Sequence, residues 1–159
     1  LPNRLLFNQE FEKYLAIAKR NHLHIAVMFI GLDGLKMIND EFGHNVGDEV
    51  LQDVAKSIQT TLRNNDLCGR LSGDIFIVVT IGIQTEKDLN TFTAKMLQKI
   101  DDTKTEAAQN RSCAASIGVV STLPKIETTT KALLQEADLV MDSVKQHGRD
   151  NFVIKTIDS

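Results

Sequence analysis

Apolar and polar positions along this chain follow two periods, and the switches between them mark out the elements. Between residues 3 and 19, Leu6, Phe7, Phe11, Tyr14 and Ala18 recur at helical spacing and predict an opening helix with one buried face. Residues 25 to 30 are apolar without interruption, which suits a strand covered on both faces. A short helix is predicted over 35 to 42, stopped by Gly43. Val46, Val50, Leu51, Val54, Ala55, Ile58 and Leu62 then repeat with a helical period. That helix would carry Asp48 and Glu49 in its first turn, where negative charge suits the helix dipole. Two runs, 67 to 71 and 75 to 81, flank Ser72-Gly73-Asp74 as a hairpin, with Gly73 available for a positive φ. A helix over 87 to 100, a strand over 113 to 120, a helix over 130 to 146 and a strand over 152 to 155 complete the pattern. The polar stretch from 101 to 111 is expected to be a flexible loop.

The resulting order, α-β-α-α-β-β-α-β-α-β, has no internal repeat and no long linker. It predicts an α/β (α+β) domain in which helices pack against a mixed sheet. With 159 residues and 42% hydrophobic content, the chain fits a single domain with a real core. A net charge of −3 gives no clustered basic excess and argues against nucleic acid as a partner, so phosphates would have to be held by a few placed cations. Cys68 and Cys113 lie far apart inside apolar runs and read as buried thiols of a reducing compartment. The longest apolar runs are too short to span a bilayer, and no charged-then-apolar leader opens the chain. It begins Leu1-Pro2-Asn3-Arg4, and residues 1–159 read as one domain excised from a longer, multidomain protein. The domain is expected in the cytoplasm, with no membrane contact of its own.

Two segments carry the candidate chemistry. Asn39-Asp40-Glu41-Phe42-Gly43-His44-Asn45-Val46-Gly47-Asp48-Glu49-Val50-Leu51 precedes Arg70-Leu71-Ser72-Gly73-Asp74-Ile75-Phe76. Together they resemble the GGDEF domain, the bacterial family that condenses two GTP molecules into cyclic di-GMP. The resemblance runs from Leu1 almost to the C-terminus. It implies a palm-like mixed sheet flanked by helices, related to nucleotide cyclases and polymerases. In the family the turn reads Gly-Gly-(Asp/Glu)-Glu-Phe; here it reads Ser72-Gly73-Asp74-Ile75-Phe76.

Joining two GTP molecules is phosphoryl transfer, which needs Mg²⁺ held by hard oxygen ligands. The resemblance places one metal carboxylate at the end of the first strand, at Gly31, and another at Asp74. A further family glutamate falls at Ile75, which can neither bind a metal nor move a proton. Asp74 is thus the matched remnant of the metal site, and Mg²⁺ binding is expected to be incomplete. Asp33 points to the same strand face as Gly31 but lies about 6.6 Å further along, so it reads as a cap for the following helix or as a weak substitute ligand.

The same resemblance puts guanine-reading residues at Asn39 and Asp48, and phosphate contacts at Lys36, Lys145 and Arg149. A carboxylate suits guanine because it accepts from N1–H and the exocyclic amine, a donor pair that adenine does not present. Lys145 and Arg149 sit in Ala137-Asp138-Leu139-Val140-Met141-Asp142-Ser143-Val144-Lys145-Gln146-His147-Gly148-Arg149-Asp150, similar to the family's closing motif, with Met141 in place of its Tyr. Near a helix end both cations can also simply face the helix dipole. Arg63-Asn64-Asn65-Asp66 stands nine residues before Ser72, where the family carries its Arg-x-x-Asp product site for cyclic di-GMP. The alternative for Arg63 and Asp66 is a solvated i,i+3 ion pair. His22 and His24 have no Cys or Glu partners that would complete a metal pattern, and His44 belongs to the family's Gly-His turn.

These residues point to a degenerate, catalytically inactive GGDEF signalling domain that binds cyclic di-GMP, GTP or both. Two rivals stand beside it. One is a living diguanylate cyclase using Asp33 and Asp74 in a homodimer. The other is a structural domain that only dimerises or docks a partner such as a cyclic di-GMP phosphodiesterase domain.

Overall fold

The computed structural model describes residues 4–157. Five α-helices, α1 (Arg4–Asn21), α2 (Leu35–Phe42), α3 (His44–Thr61), α4 (Glu86–Asp101) and α5 (Thr130–Gln146), and one 3-10 turn (Glu106–Ala108) surround one sheet. Its strands are β1 (Ile25–Leu32), β2 (Leu67–Ser72), β3 (Ile75–Ile81), β4 (Ala115–Thr122) and β5 (Asn151–Ile157). They lie side by side in the order β2-β3-β1-β4-β5. All neighbours are antiparallel except β4 and β5, which α5 joins as a parallel pair. This is the mixed sheet flanked by helices that the pattern implied.

The unbroken apolar run of β1 follows from its central place: every residue of it is buried. Ala26, Met28, Ile30 and Leu32 face a core built with Leu35, Ile38, Val50, Val54, Ile58, Met96 and Ile100 of α2, α3 and α4. Ile25, Val27 and Phe29 face the opposite core, made with Phe7, Phe11 and Leu15 of α1 and Leu133, Ala137 and Met141 of α5. The period-2 alternation of a strand thus divides one run of residues between two cores.

Several local expectations differ from the structure. The expected start of the opening helix, Asn3, lies outside the described residues. Leu6 is 46% exposed, and Leu15 takes the expected place on the buried face beside Phe11. α3 starts at His44, directly after Gly43 with φ 94°, so Asp48 and Glu49 fall beyond its first turn and lose their role against the dipole. Gly73 takes no positive φ; the hairpin instead slips register between Arg70 and Ser72. The 101–111 segment is tied down rather than loose. Thr105 is buried and donates to Asp53 Oδ2 (2.7 Å), and Thr103 and Ser57 share a hydroxyl hydrogen bond (2.6 Å). Arg111 pairs with Glu41 and lies over the Phe42 ring. No helix among the described residues is long and apolar enough to cross a membrane.

Candidate functional site

At the C-terminal end of β1, three strands bring three residues into one row. Gly31 is directly opposite Ile75 on β3 and Ser116 on β4, so the three share the face that looks toward α5. Over that row α5 lays Met141 and Lys145, four residues apart and therefore on one helical face. A Cβ on Gly31 would come within 2.8 Å of both Lys145 Cε and Met141 Sδ, and within 3.0 Å of Lys145 Nζ. The space beside Gly31 is therefore filled by an ammonium and a thioether. Ile75 packs against the α1–α5 core, where its side chain offers only hydrocarbon.

Asp33 follows β1 and is not the helix cap that the sequence suggested. α2 has Gly34 at its N-cap, with φ 85° and no side-chain capping bond. The Asp33 carboxylate turns instead to the far end of the chain, accepting from Arg149 Nη1 (2.9 Å), Ser116 Oγ (2.9 Å) and the Asp150 N–H (3.3 Å). Lys145 Nζ stands 4.0 Å from the same carboxylate, whose side chain is only 9% exposed. These contacts hold an unusual corner: Gly148, Arg149 and Asp150 have successive φ values of 111°, 63° and 47°. Left-handed backbone at two non-glycine residues is costly, and the Asp33 bonds compensate for it. Asp101, at the end of α4, comes close to this corner. Burial first, then the neighbouring Asp150 carboxylate, pushes its carboxyl up to about 6.

Asp74 is half-buried in the hairpin turn, and its carbonyl accepts from Leu32 N–H (2.9 Å), pinning the turn to the end of β1. Cys113 donates to the Asp33 carbonyl (2.9 Å). Its thiol is pushed up to about 12 by burial first, then by Asp33 and Asp74.

A Mg²⁺ ion would need several hard oxygens in near-octahedral array. Here Gly31 has no room for a carboxylate while Lys145 stays, Ile75 has no donor and Asp33 is already bound to Arg149 and Ser116. Among the described residues no three His, Cys, Asp or Glu side chains gather in a group able to hold a metal. The residues present do not fit the ion that the resemblance implies.

The α2–α3 corner is differently arranged. Asn39 is half-buried on α2, and a Cβ on Gly47 would strike Asn39 Oδ1 at 1.7 Å, so that glycine gives the amide its place. Asp48, one residue on, is exposed, as are Lys36 and His44. Lys36, Asn39 and Asp48 thus lie on two helices joined only through Gly43, while Lys145 and Arg149 come from α5 and the turn after it.

At the opposite end of the sheet, Arg63 and Asp66 form neither an open site nor a solvated pair. The Asp66 side chain is fully buried, while that of Arg63 is 49% exposed. Asp66 accepts from Arg63 N–H (2.8 Å), Arg63 Nη2 (3.1 Å) and Thr80 Oγ1 (2.7 Å). Arg63 Nη2 also reaches Thr80 Oγ1 and the Ile81 carbonyl (2.9 Å). The outer side of Arg63 borders a cleft of about 530 Å³ shared with Tyr14, Ile17, Leu23, Asn64 and Asn65. Sequence reasoning missed Thr80, Ser116 and Asp101; Thr80 is the single hydroxyl of an otherwise apolar strand, the kind of polar interruption that can mark a buried network, and Ser116 is one of three hydroxyls on β4.

The family described as "Diguanylate cyclase, GGDEF domain" matches residues 1–151. The chain is 33% identical over 152 residues to the bifunctional diguanylate cyclase/cyclic di-GMP phosphodiesterase MucR of Pseudomonas aeruginosa, covering 96% of this chain and 22% of that protein. It is 32% identical over 151 residues to the cyclic di-GMP phosphodiesterase NbdA of the same organism, covering 95% and 19%. The chain therefore spans about a fifth of the length of these two curated relatives. Among solved structures, the GGDEF domain of TpbB (YfiN) from P. aeruginosa superimposes with a TM-score of 0.88 at 31% identity, over 97% of this chain and 90% of that one.

Proposed function

This chain belongs to the GGDEF family of diguanylate cyclase domains, and from that membership we propose that it is a regulatory guanine-nucleotide-binding module that does not turn GTP over. The observation that carries the reading is the cross-strand pair Gly31 and Ile75. Two of the three positions at which the family resemblance puts carboxylates face each other across β1 and β3, and neither side chain carries an oxygen; the third, Asp74, keeps its carboxylate. Losing a general base alone costs about 10²–10⁴ in rate, and here a metal ligand is missing as well.

GTP is the ligand of the α2–α3 corner, with Asn39 and Asp48 reading guanine and Lys36, Lys145 and Arg149 meeting the phosphates. Cyclic di-GMP is the ligand at Arg63, with the exposed face of the guanidinium as the contact. Asp66 then acts by holding Arg63 in place, because its own carboxylate is buried and engaged. The domain works within a longer protein, as a homodimer or against a phosphodiesterase-type domain; the names of MucR and NbdA support the second setting.

Two experiments divide the possibilities. Synthesis of cyclic di-GMP from GTP with Mg²⁺ or Mn²⁺ separates a cyclase from a binder. Titration with GTP and cyclic di-GMP then separates a binder from a scaffold, which would show saturable heat with neither.

A further inference from the structure

Lys145 is an ammonium with unused donors in a largely enclosed place. Its side chain is 22% exposed, and its nearest counter-charge, Asp33 Oδ1, lies 4.0 Å away, too far for a hydrogen bond. That carboxylate is already engaged by Arg149 and Ser116. An ammonium carries three N–H donors, and among the described residues none of those of Lys145 makes a hydrogen bond. Asp138, on the same helix, also feels the charge of this ammonium, and Asp74 at the hairpin turn acts, as Lys145 does, on the Cys113 thiol. Lys145 also stands in the volume that any side chain at position 31 would need. Where a metal-using centre presents a carboxylate to a cation, this one presents a cation.

We propose that the end of β1 is a metal-independent seat for the phosphate chain of a nucleoside triphosphate, with the Lys145 ammonium in place of a divalent ion. This deepens the GTP-binding reading and rests on it. A phosphate oxygen meets Lys145 Nζ directly, while Arg149, held by Asp33, lies beside it with its side chain half exposed. A divalent ion on the phosphates competes with Lys145 for the same oxygens and is repelled by it. The free triphosphate is therefore the preferred form, the reverse of a centre built from carboxylates.

The test is calorimetric titration of GTP and, separately, inorganic tripolyphosphate into the wild-type chain, in excess EDTA and in excess MgCl₂. Both ligands should bind in EDTA at least as tightly as in Mg²⁺. Lys145→Gln should lower the EDTA affinity by about tenfold or more, the loss of one charge-assisted hydrogen bond. Gly31→Ala keeps the charge but presses the lysine stem aside, and should also weaken tripolyphosphate binding. Thermal melts report whether each variant is folded; the EDTA and Mg²⁺ comparison on wild type needs neither. GTP binding that rises tenfold or more with Mg²⁺, or that Lys145→Gln leaves unchanged, overturns the seat while leaving the nucleotide-binding reading intact. No binding of either ligand in either buffer overturns both.

Discussion

The two ends of the sheet treat their carboxylates differently. Asp33, just past β1, and Asp66, just before β2, are both nearly or fully buried and both are gripped by an arginine. They lie roughly 20 Å apart along the strands, six residues of β1 separating the pair Gly31 and Ile75 from the pair Ile25 and Ile81. At the Asp33 end, the family resemblance puts carboxylates at Gly31 and Ile75, and Lys145 and Met141 occupy the space beside Gly31. At the Asp66 end nothing is missing from the motif, yet its carboxylate is closed inside a network with Arg63 and Thr80. A retained motif and an available functional group are therefore separate facts. The first is read from the sequence; the second depends on what else a buried carboxylate has found to bind.

The largest expected effect is a gain at the Asp33 end. Gly31→Asp combined with Ile75→Glu should raise cyclic di-GMP synthesis by about 10²-fold or more over either single change, since one ligand cannot complete a metal site. The carboxylate introduced at position 31 must first displace the end of the Lys145 side chain, which is flexible enough to move. Equal rates for the double and single variants, measured by product chromatography, would mean that the missing carboxylates are not what limits the site.

At the other end, Arg63→Ala should act on both stability and binding. It strips the buried Asp66 of its charged donor, at a cost of about 1.5–3 kcal/mol in chemical denaturation. Cyclic di-GMP affinity should fall roughly 10- to 150-fold. Identical binding curves for variant and wild type would remove Arg63 from the ligand site while leaving its structural role.

The α2–α3 corner sharpens the contrast, because its polar groups are neither missing nor buried. Asp48→Ala should abolish any preference for GTP over ATP, and Gly47→Ala should weaken it by pushing Asn39 out of place, each by about tenfold or less. Equal affinity of the wild type for ATP and GTP would defeat the base-reading assignment outright.

The smallest effect concerns the corner beside Asp33. Asp101 has a folded pKa of about 6, above the ordinary carboxylate range. The folded state therefore binds more protons than the unfolded one between about pH 4 and 6, and stability falls as pH rises through that window. Asp101→Asn should remove the slope, so its melting temperature gains on wild type more near pH 7 than near pH 4. Parallel melting profiles would show that the upward shift of Asp101, from burial and then from Asp150, has no thermodynamic weight.

The fold was legible wherever burial repeats with a period. α2 and α5 have the boundaries that their apolar spacing predicts, and at α5 the structure shows why: Thr129 caps its start, accepting from Ala132 N–H (3.1 Å), and the left-handed Gly148 follows its end. The continuous run of β1 announced a strand covered on both sides. The partners of single polar side chains were not legible. Arg149 reaches Asp33 across 116 positions, a contact made by the sheet order and invisible to local spacing. Leu6 and Leu15 exchanged places because a helix with apolar residues around much of its surface does not say which stripe meets the sheet. The 101–111 stretch looked loose because its anchors are hydroxyls, an arginine and a single buried alanine, Ala108, rather than a periodic run of apolar residues. The candidate site was readable as a set of residue types. Which of its charges already face one another was readable only from the fold.

One measurement tests the central claim directly: incubate the chain with GTP and Mg²⁺ or Mn²⁺, and quantify cyclic di-GMP formed alongside GTP bound. The account predicts saturable GTP binding with no appreciable product. Cyclic di-GMP accumulating at about 1 s⁻¹ or faster, an ordinary enzyme rate, would contradict it and make the chain a working cyclase.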